Sequence, residues 1–149
     1  MFYDTTELAT DEIYLKLLST NLGNRRDSIP PSYNFIIKKK EDMSEIGQCT
    51  FRVGHSKHND YSGNIGYTIY ERYRGNNYAQ KTCSLLFKLA ANHSMKYLYI
   101  CCSPENNASV CICKRLGGEF LGEYDIPSWH PLYDYDKKKV LRYIFKKLS

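Results

Sequence analysis

The stretch Arg74-Gly75-Asn76-Asn77-Tyr78-Ala79 sits where one periodicity gives way to another. Before it, residues 63–70 carry Ile65, Tyr67 and Ile69 in alternation, the period of a strand. After it, Ala79, Cys83, Leu86, Phe87 and Ala90 fall at helical spacing from Asn77 through about His93. A chain that changes period across so short a polar turn has to fold there as strand, turn, helix. The first N–H groups of a helix have no intrahelical partner and stand at the positive end of its dipole. A tight turn of small residues entering a helix therefore makes a cradle for an anion such as phosphate. Arg74 adds a fixed positive charge beside it.

The flanking segments extend the pattern. Residues 12–18, with Ile13, Leu15 and Leu17 alternating, read as a first strand, a helix from Thr10 being the alternative. Residues 19–32 hold Asn21, Gly23, Asn24, Pro30 and Pro31 and read as a loop, because proline suits neither a helix interior nor a central strand. Tyr33, Phe35 and Ile37, then Cys49, Phe51 and Val53 after the turn Glu41-Asp42-Met43-Ser44, predict an antiparallel hairpin. The polar stretch 54–62 leads to the strand of Ile65, Tyr67 and Ile69, which completes a meander. Tyr97-Leu98-Tyr99-Ile100-Cys101 is a continuous apolar run. It is expected to be a strand buried on both faces and, because a helical crossover precedes it, parallel to the strand before. Asn106-Asn107-Ala108-Ser109 opens a shorter helix, with Ala108, Ile112 and Leu116 a turn apart, and Gly117-Gly118 ends it. Residues 120–124 and 140–145 form the last two strands. The loop 125–138 between them contains Pro127, Trp129, His130, Pro131 and several tyrosines.

At 149 residues the chain is long enough for one sizeable core and too short to suggest two, so residues 1–149 read as a single domain. No run approaches the ~18 apolar residues of a membrane span. The opening Met1-Phe2-Tyr3-Asp4 lacks the basic-then-apolar order of a secretory leader, so a soluble cytoplasmic protein is expected. The six cysteines fall in patterned strands or helices. Adjacent strand residues point to opposite faces, which parts Cys101 from Cys102, and residues two apart on a helix point roughly 200° apart, which parts Cys111 from Cys113. Buried, reduced thiols are expected. The net charge of +5 is gathered in part at Lys38-Lys39-Lys40, Lys137-Lys138-Lys139 and Lys146-Lys147. Such runs suit solvated strand ends better than the more localised footprint of a nucleic-acid binder. Neither nucleic acid nor membrane is an expected partner.

Helices interleaved with a mostly antiparallel sheet, and a phosphate turn opening the central helix, resemble the GNAT N-acetyltransferase superfamily over nearly the whole chain. That family's acyl-CoA signature is Gln or Arg, two residues, Gly, one residue, then Gly or Ala. Here Arg74, Gly75, Asn76, Asn77, Tyr78 and Ala79 follow it, except that Asn77 stands where the central Gly is usual. Asn enters the left-handed conformation more readily than other non-glycine residues, so the departure is tolerable, although it adds bulk beside the expected pyrophosphate. A second family feature, an Asn two residues before Ala-Ser with a later Leu-Gly ending, is matched by Asn106, Ala108-Ser109 and Leu116-Gly117. The strand Gly63-Asn64-Ile65-Gly66-Tyr67 and the ending Leu116-Gly117-Gly118 resemble a branch of small bacterial members whose substrates the likeness does not supply.

The resemblance implies an α/β fold with a mostly antiparallel central sheet, one splayed parallel strand pair and flanking helices. Acetyl-CoA would be the acyl donor, without a metal. Its pantetheine arm would bond backbone groups around Ile69, Tyr70 and Glu71. The N–H groups of Asn76, Asn77, Tyr78 and Ala79, with Gly75 and Arg74, would hold the pyrophosphate, and Asn106 and Ser109 would approach from the next helix. The amine of a small molecule would attack the thioester directly in a ternary complex. Alternatives are a protein N-terminus or lysine as acceptor, or a catalytically weak acyl-CoA sensor. The family often places its acid Tyr seven residues after the helix Asn, a position occupied here by Cys113, which is a candidate acid or a core residue. Glu71 is a candidate base, or an ion-pair partner of Arg72 or Arg74. His55, with His58 second to it, stands in a loop expected to border the acceptor cleft, or is an idle surface residue. Their spacing fits a metal, but no cysteine or carboxylate pattern accompanies it. Trp129 and Tyr133 are candidates to line the acceptor pocket or to cover an apolar edge. Exposed strand edges in such folds often pair, which leaves a homodimer open.

Overall fold

The computed structural model describes residues 1–136 and 138–148, so Lys137 of the second lysine run lies outside them. The alternating segments form four strands, β1 (Ile13–Asn21), β2 (Ser32–Lys39), β3 (Glu45–Arg52) and β4 (Ile65–Ile69), in one antiparallel sheet of that order. Register is fixed by the apolar face, because a one-residue slip would carry every core side chain into solvent. Phe35 lies opposite Cys49 and Cys49 opposite Tyr67, while Tyr33 lies opposite Phe51 and Phe51 opposite Ile65. The inward residues Ile13, Leu15, Tyr33, Phe35, Ile37, Phe51 and Ile65 are buried there. Helix α2 (Tyr78–Asn92) adds Ala79, Cys83, Leu86, Leu89 and Ala90 to the same core.

Strand β1 outruns its expected end. The pairing slips between Leu17 and Ser19, and beyond this irregularity Ser19, Thr20 and Asn21 still pair with Asn34, Tyr33 and Ser32. A bulge breaks the alternation while the ladder continues, so the sequence reads as loop where the backbone is still strand. The connection shrinks to residues 22–31, pinned by a bridge between Asn24 and Ile29. The polar stretch after β3 also gains structure, a single-turn helix α1 (Asn59–Ser62). Two arginines hold its carbonyls: Arg52 Nη1 donates to Ser62 O and Gly63 O, and Arg142 Nε donates to Asp60 O at 2.8 Å.

The second half departs from the expected single mixed sheet. Strands β5 (Leu98–Cys102), β6 (Glu119–Asp125) and β7 (Lys139–Phe145) form a separate antiparallel sheet of order β5-β7-β6. No parallel ladder joins β4 to β5 among the described residues. The two meet at their starts, where Asn64 N–H donates to Tyr99 O (2.7 Å) and Tyr99 N–H to Asn64 Oδ1 (2.9 Å). Gly63 permits the approach: it has φ +72°, and a Cβ there would stand 2.8 Å from Cys101 N. Nor is β5 buried on both faces, since Leu98, Ile100 and Cys102 are buried but Tyr99 and Cys101 are partly exposed. Helix α3 (Asn107–Arg115) precedes β6 and gives way at Gly117, φ +83°. All six cysteines are free, and Cys111, expected to be buried, is exposed on α3. No helix among the described residues is long and apolar enough to cross a membrane.

Candidate active site

Backbone alternation opens one edge of β4. Tyr70 N–H donates to Ile46 O and Arg52 N–H to Asn64 O, so Tyr70 and the Asn64 carbonyl both turn their backbone bonds toward β3. In an antiparallel ladder such bonds alternate, which places Thr68 and Gly66 toward β3 and turns the backbone groups of Tyr67 and Ile69 to the other edge. With β5 ladder-paired only to β7, that edge faces a gap. Ile69 O already accepts from Arg74 Nε at 3.0 Å, which folds the arginine across the end of the strand.

From Ile69 the chain passes through a 3-10 turn at Glu71–Tyr73 into the start of α2. Asn77 occupies the position before this helix in the left-handed conformation, φ 62° and ψ 20°, and its side chain makes no capping bond. Gly75, at φ +86°, also needs the left-handed region. The expected glycine-like role of Asn77 is therefore its backbone role here. The helix start is left open, its leading N–H groups unspent on a cap.

The start of α3 is built the opposite way. Asn106 Oδ1 accepts the N–H of Ser109 at 3.1 Å, an ordinary side-chain cap. Ser109 Oγ in turn lies 2.9 Å from the hydroxyl of Tyr67, which spans from β4 to α3. Burial raises the Tyr67 phenol above its usual pKa. Between β4, the open start of α2 and α3 runs a cleft of about 460 Å³. It is lined by Tyr67, Thr68 and Ile69 from β4, by Arg74, Gly75, Asn77, Tyr78 and Ala79 from the turn, and by Asn106, Ser109, Cys111 and Arg115 around α3.

Of the residues singled out in the sequence for cofactor binding, Ile69, Arg74, Gly75, Asn77, Tyr78, Ala79, Asn106 and Ser109 come together on this cleft, while Tyr70, Glu71 and Asn76 do not line it. Tyr70 N–H is spent on β3, and Asn76 Nδ2 turns back to Tyr73 O at 3.0 Å. The three catalytic candidates are scattered. Glu71 is exposed on the 3-10 turn, with no ion pair to Arg72 or Arg74 among the described residues. His55 stacks on Tyr97, ring centroids 4.0 Å apart, outside the cleft. Cys113 is fully buried, its thiol against that of Cys102, and that contact followed by burial pushes it well above the ordinary thiol range. His58 bonds Ser62, while Trp129 and Tyr133 lie on the far loop away from the cleft. Among the described residues no three His, Cys, Asp or Glu side chains gather to hold a metal ion.

Several lining residues were not singled out in the sequence, Tyr67 and Arg115 among them. Tyr67 alternates with Ile65 and Ile69 as a core residue would, so nothing local marked it. Arg115 was legible, because Ala108, Cys111 and Arg115 recur at helical spacing on one face of α3.

A family model described as an acetyltransferase (GNAT) domain matches residues 3–119. No curated protein sequence matches the chain. Among solved structures, the chain is similar to a GNAT-family acetyltransferase from Bacillus anthracis, at 17% identity and a TM-score of 0.60, over 76% of this chain and 65% of that one. It is similar to the microcin C7 self-immunity acetyltransferase MccE, solved with acetyl-CoA and AMP, at 17% identity and a TM-score of 0.60, over 83% and 64%. A third is the Salmonella typhimurium acetyl transferase that modifies the N-terminal serine of ribosomal protein L7/L12, at 17% identity and a TM-score of 0.60, over 78% and 64%. The chain spans just under two thirds of the length of each. Likeness at this identity shows a shared fold, and the family match covers the strand, turn and helix that frame the cleft. The chain belongs to the GNAT acetyltransferase family.

Proposed function

We propose that this protein binds acetyl-CoA along the cleft and transfers the acetyl group to a primary amine of a small molecule, by direct attack in a ternary complex. The observation that carries the reading is the joining of two unsatisfied backbone surfaces in one cleft, the free edge of β4 and the uncapped start of α2. The first suits an extended arm that adds to a sheet edge as a strand would, and the second suits a pyrophosphate.

In this reading the N–H groups of Tyr78, Ala79 and Gln80 and the guanidinium of Arg74 hold the pyrophosphate. The backbone of Tyr67 and the N–H of Ile69 take the pantetheine amides, in place of Tyr70 and Glu71, while Ile69 O stays with Arg74 Nε. Asn106, its Oδ1 occupied by the cap, offers its Nδ2 to the arm, and Arg115 supplies a second cation. No carboxylate or imidazole lines the cleft among the described residues, so the proton shed by the amine leaves through solvent.

Thermal unfolding with acetyl-CoA and with CoA, together with release of free thiol across a panel of small amines and peptides, tests the reading. Stabilisation by both ligands and turnover on small amines is expected. Turnover on peptides alone would move the acceptor to a protein, stabilisation without turnover would leave a binding module, and no stabilisation would end the acyl-CoA reading.

A further inference from the structure

We infer that Tyr67, held by Ser109, is the hydrogen-bond donor that stabilises the departing CoA thiolate, a part the family resemblance would give to residue 113. The inference rests on the acetyl-CoA reading above. Residue 113 cannot play that part in this chain: Cys113 is fully buried and does not line the cleft. The cleft presents a phenol instead. Tyr67 lies mid-strand on β4, on the same face as the buried Ile65 and Ile69, and its hydroxyl reaches Ser109 in the first turn of α3. Tyr67 and Ser109 both line the cleft.

The hydrogen-bond inventory leaves the phenol proton free to serve. A serine hydroxyl has one proton and a tyrosine hydroxyl can accept while it donates. Ser109 Oγ can donate to Tyr67 Oη, and the serine backbone N–H is already taken by Asn106. Tyr67 O–H can then turn into the cleft. Burial keeps this phenol protonated at neutral pH, so it donates without surrendering its proton. In the transfer the amine nitrogen forms a bond to the acyl carbon and the C–S bond breaks. Sulfur keeps the bonding pair, and the proton shed by nitrogen reaches it through solvent. Tyr67 stabilises the charge on sulfur while it develops, the condition for lowering the barrier rather than merely tightening binding.

The test uses Tyr67→Phe and Ser109→Ala in the full chain, with two readouts: steady-state kinetics, and the pKa of the thiol of bound CoA from thiolate absorbance. In the wild type the bound thiol is expected to ionise below free CoA, and in Tyr67→Phe at the free value. Tyr67→Phe should lower kcat by about 10- to 100-fold, with KM for acetyl-CoA within about 3-fold. Ser109→Ala should show the same pattern at roughly 3- to 10-fold, which keeps the test alive if Tyr67→Phe fails to fold. An unchanged kcat and an unchanged thiol pKa in a folded Tyr67→Phe that still binds acetyl-CoA would overturn the Tyr67 assignment alone. A loss confined to Cys113→Ala would return the role to residue 113. Failure of the wild type to bind acetyl-CoA would overturn both this assignment and the reading beneath it.

Discussion

The two long helices of this protein begin in opposite ways. Helix α2 starts behind a left-handed Asn77 that makes no side-chain cap, whereas α3 starts behind Asn106, whose carboxamide closes onto the N–H of Ser109. Both positions hold asparagine, the residue most suited to end the orphaned N–H groups of a helix. Only one of them does so. The difference is conformational: at φ 62° the Asn77 side chain is carried away from the helix start, while at φ −85° that of Asn106 bends back over it. In the function proposed above, the helix start closed by its own side chain serves the fold and the one left open serves the ligand.

Arg74→Ala puts the largest strain on that comparison. If the open start is an anion site, the variant should bind CoA roughly 10- to 100-fold more weakly in calorimetric titration, the worth of one or two bonds to a charged partner. Its unliganded melting temperature should fall only slightly, because Arg74 is exposed and gives up one hydrogen bond, to Ile69 O. An unchanged CoA affinity would break the comparison outright. Asn77→Val comes next: a β-branched residue forced to positive φ should cost about 1–2 kcal/mol in urea unfolding. Asn77→Gly should cost nothing and leave CoA affinity equal or improved, and a tenfold fall would mean that the Asn77 side chain is itself a ligand. Asn106→Ala should cost about 1 kcal/mol of stability, the ordinary worth of a cap, and change CoA affinity by less than Arg74→Ala does. Were it to abolish CoA binding without destabilising the fold, the closed start would be a binding element too.

The smallest effect expected is of pH. Burial lowers the pKa of all four histidines, His55, His58, His93 and His130, below the ordinary value of 6.5. The native state therefore resists protonating them while the unfolded chain takes up protons near that value. Their contribution is intact above pH 6.5 and is lost as the pH falls below it. The urea midpoint should drop between about pH 7.5 and about pH 5.5. Neither helix start carries a histidine, so acid should weaken the fold without selectively weakening CoA binding.

Much of this fold could be read from the chain. The alternation of Tyr33, Phe35, Cys49, Phe51, Ile65 and Ile69 gave the first sheet, and the small-residue turn before Ala79 gave the helix start, because period and turn chemistry are local properties. The end of β1 was misread since a bulge erases alternation without ending the ladder. The partner of β5 was misread since an apolar run names a buried strand but not its neighbour. The cleft residues on the phosphate turn were recognisable from their order. Tyr67 was not, because a phenol aimed at a core and one aimed at a cleft look alike in a sequence.

By itself, then, the sequence determined the strand–turn–helix junction, the left-handed place of Asn77 and the opening of a second helix at Asn106, all set by contacts within a few residues. Only the tertiary structure decided that β4 and β5 lie in separate sheets, that Cys113 is sealed in the core, and that Tyr67 reaches Ser109. Those outcomes depend on packing between residues far apart in the chain, where backbone hydrogen bonding and burial are settled jointly and no local pattern carries the answer.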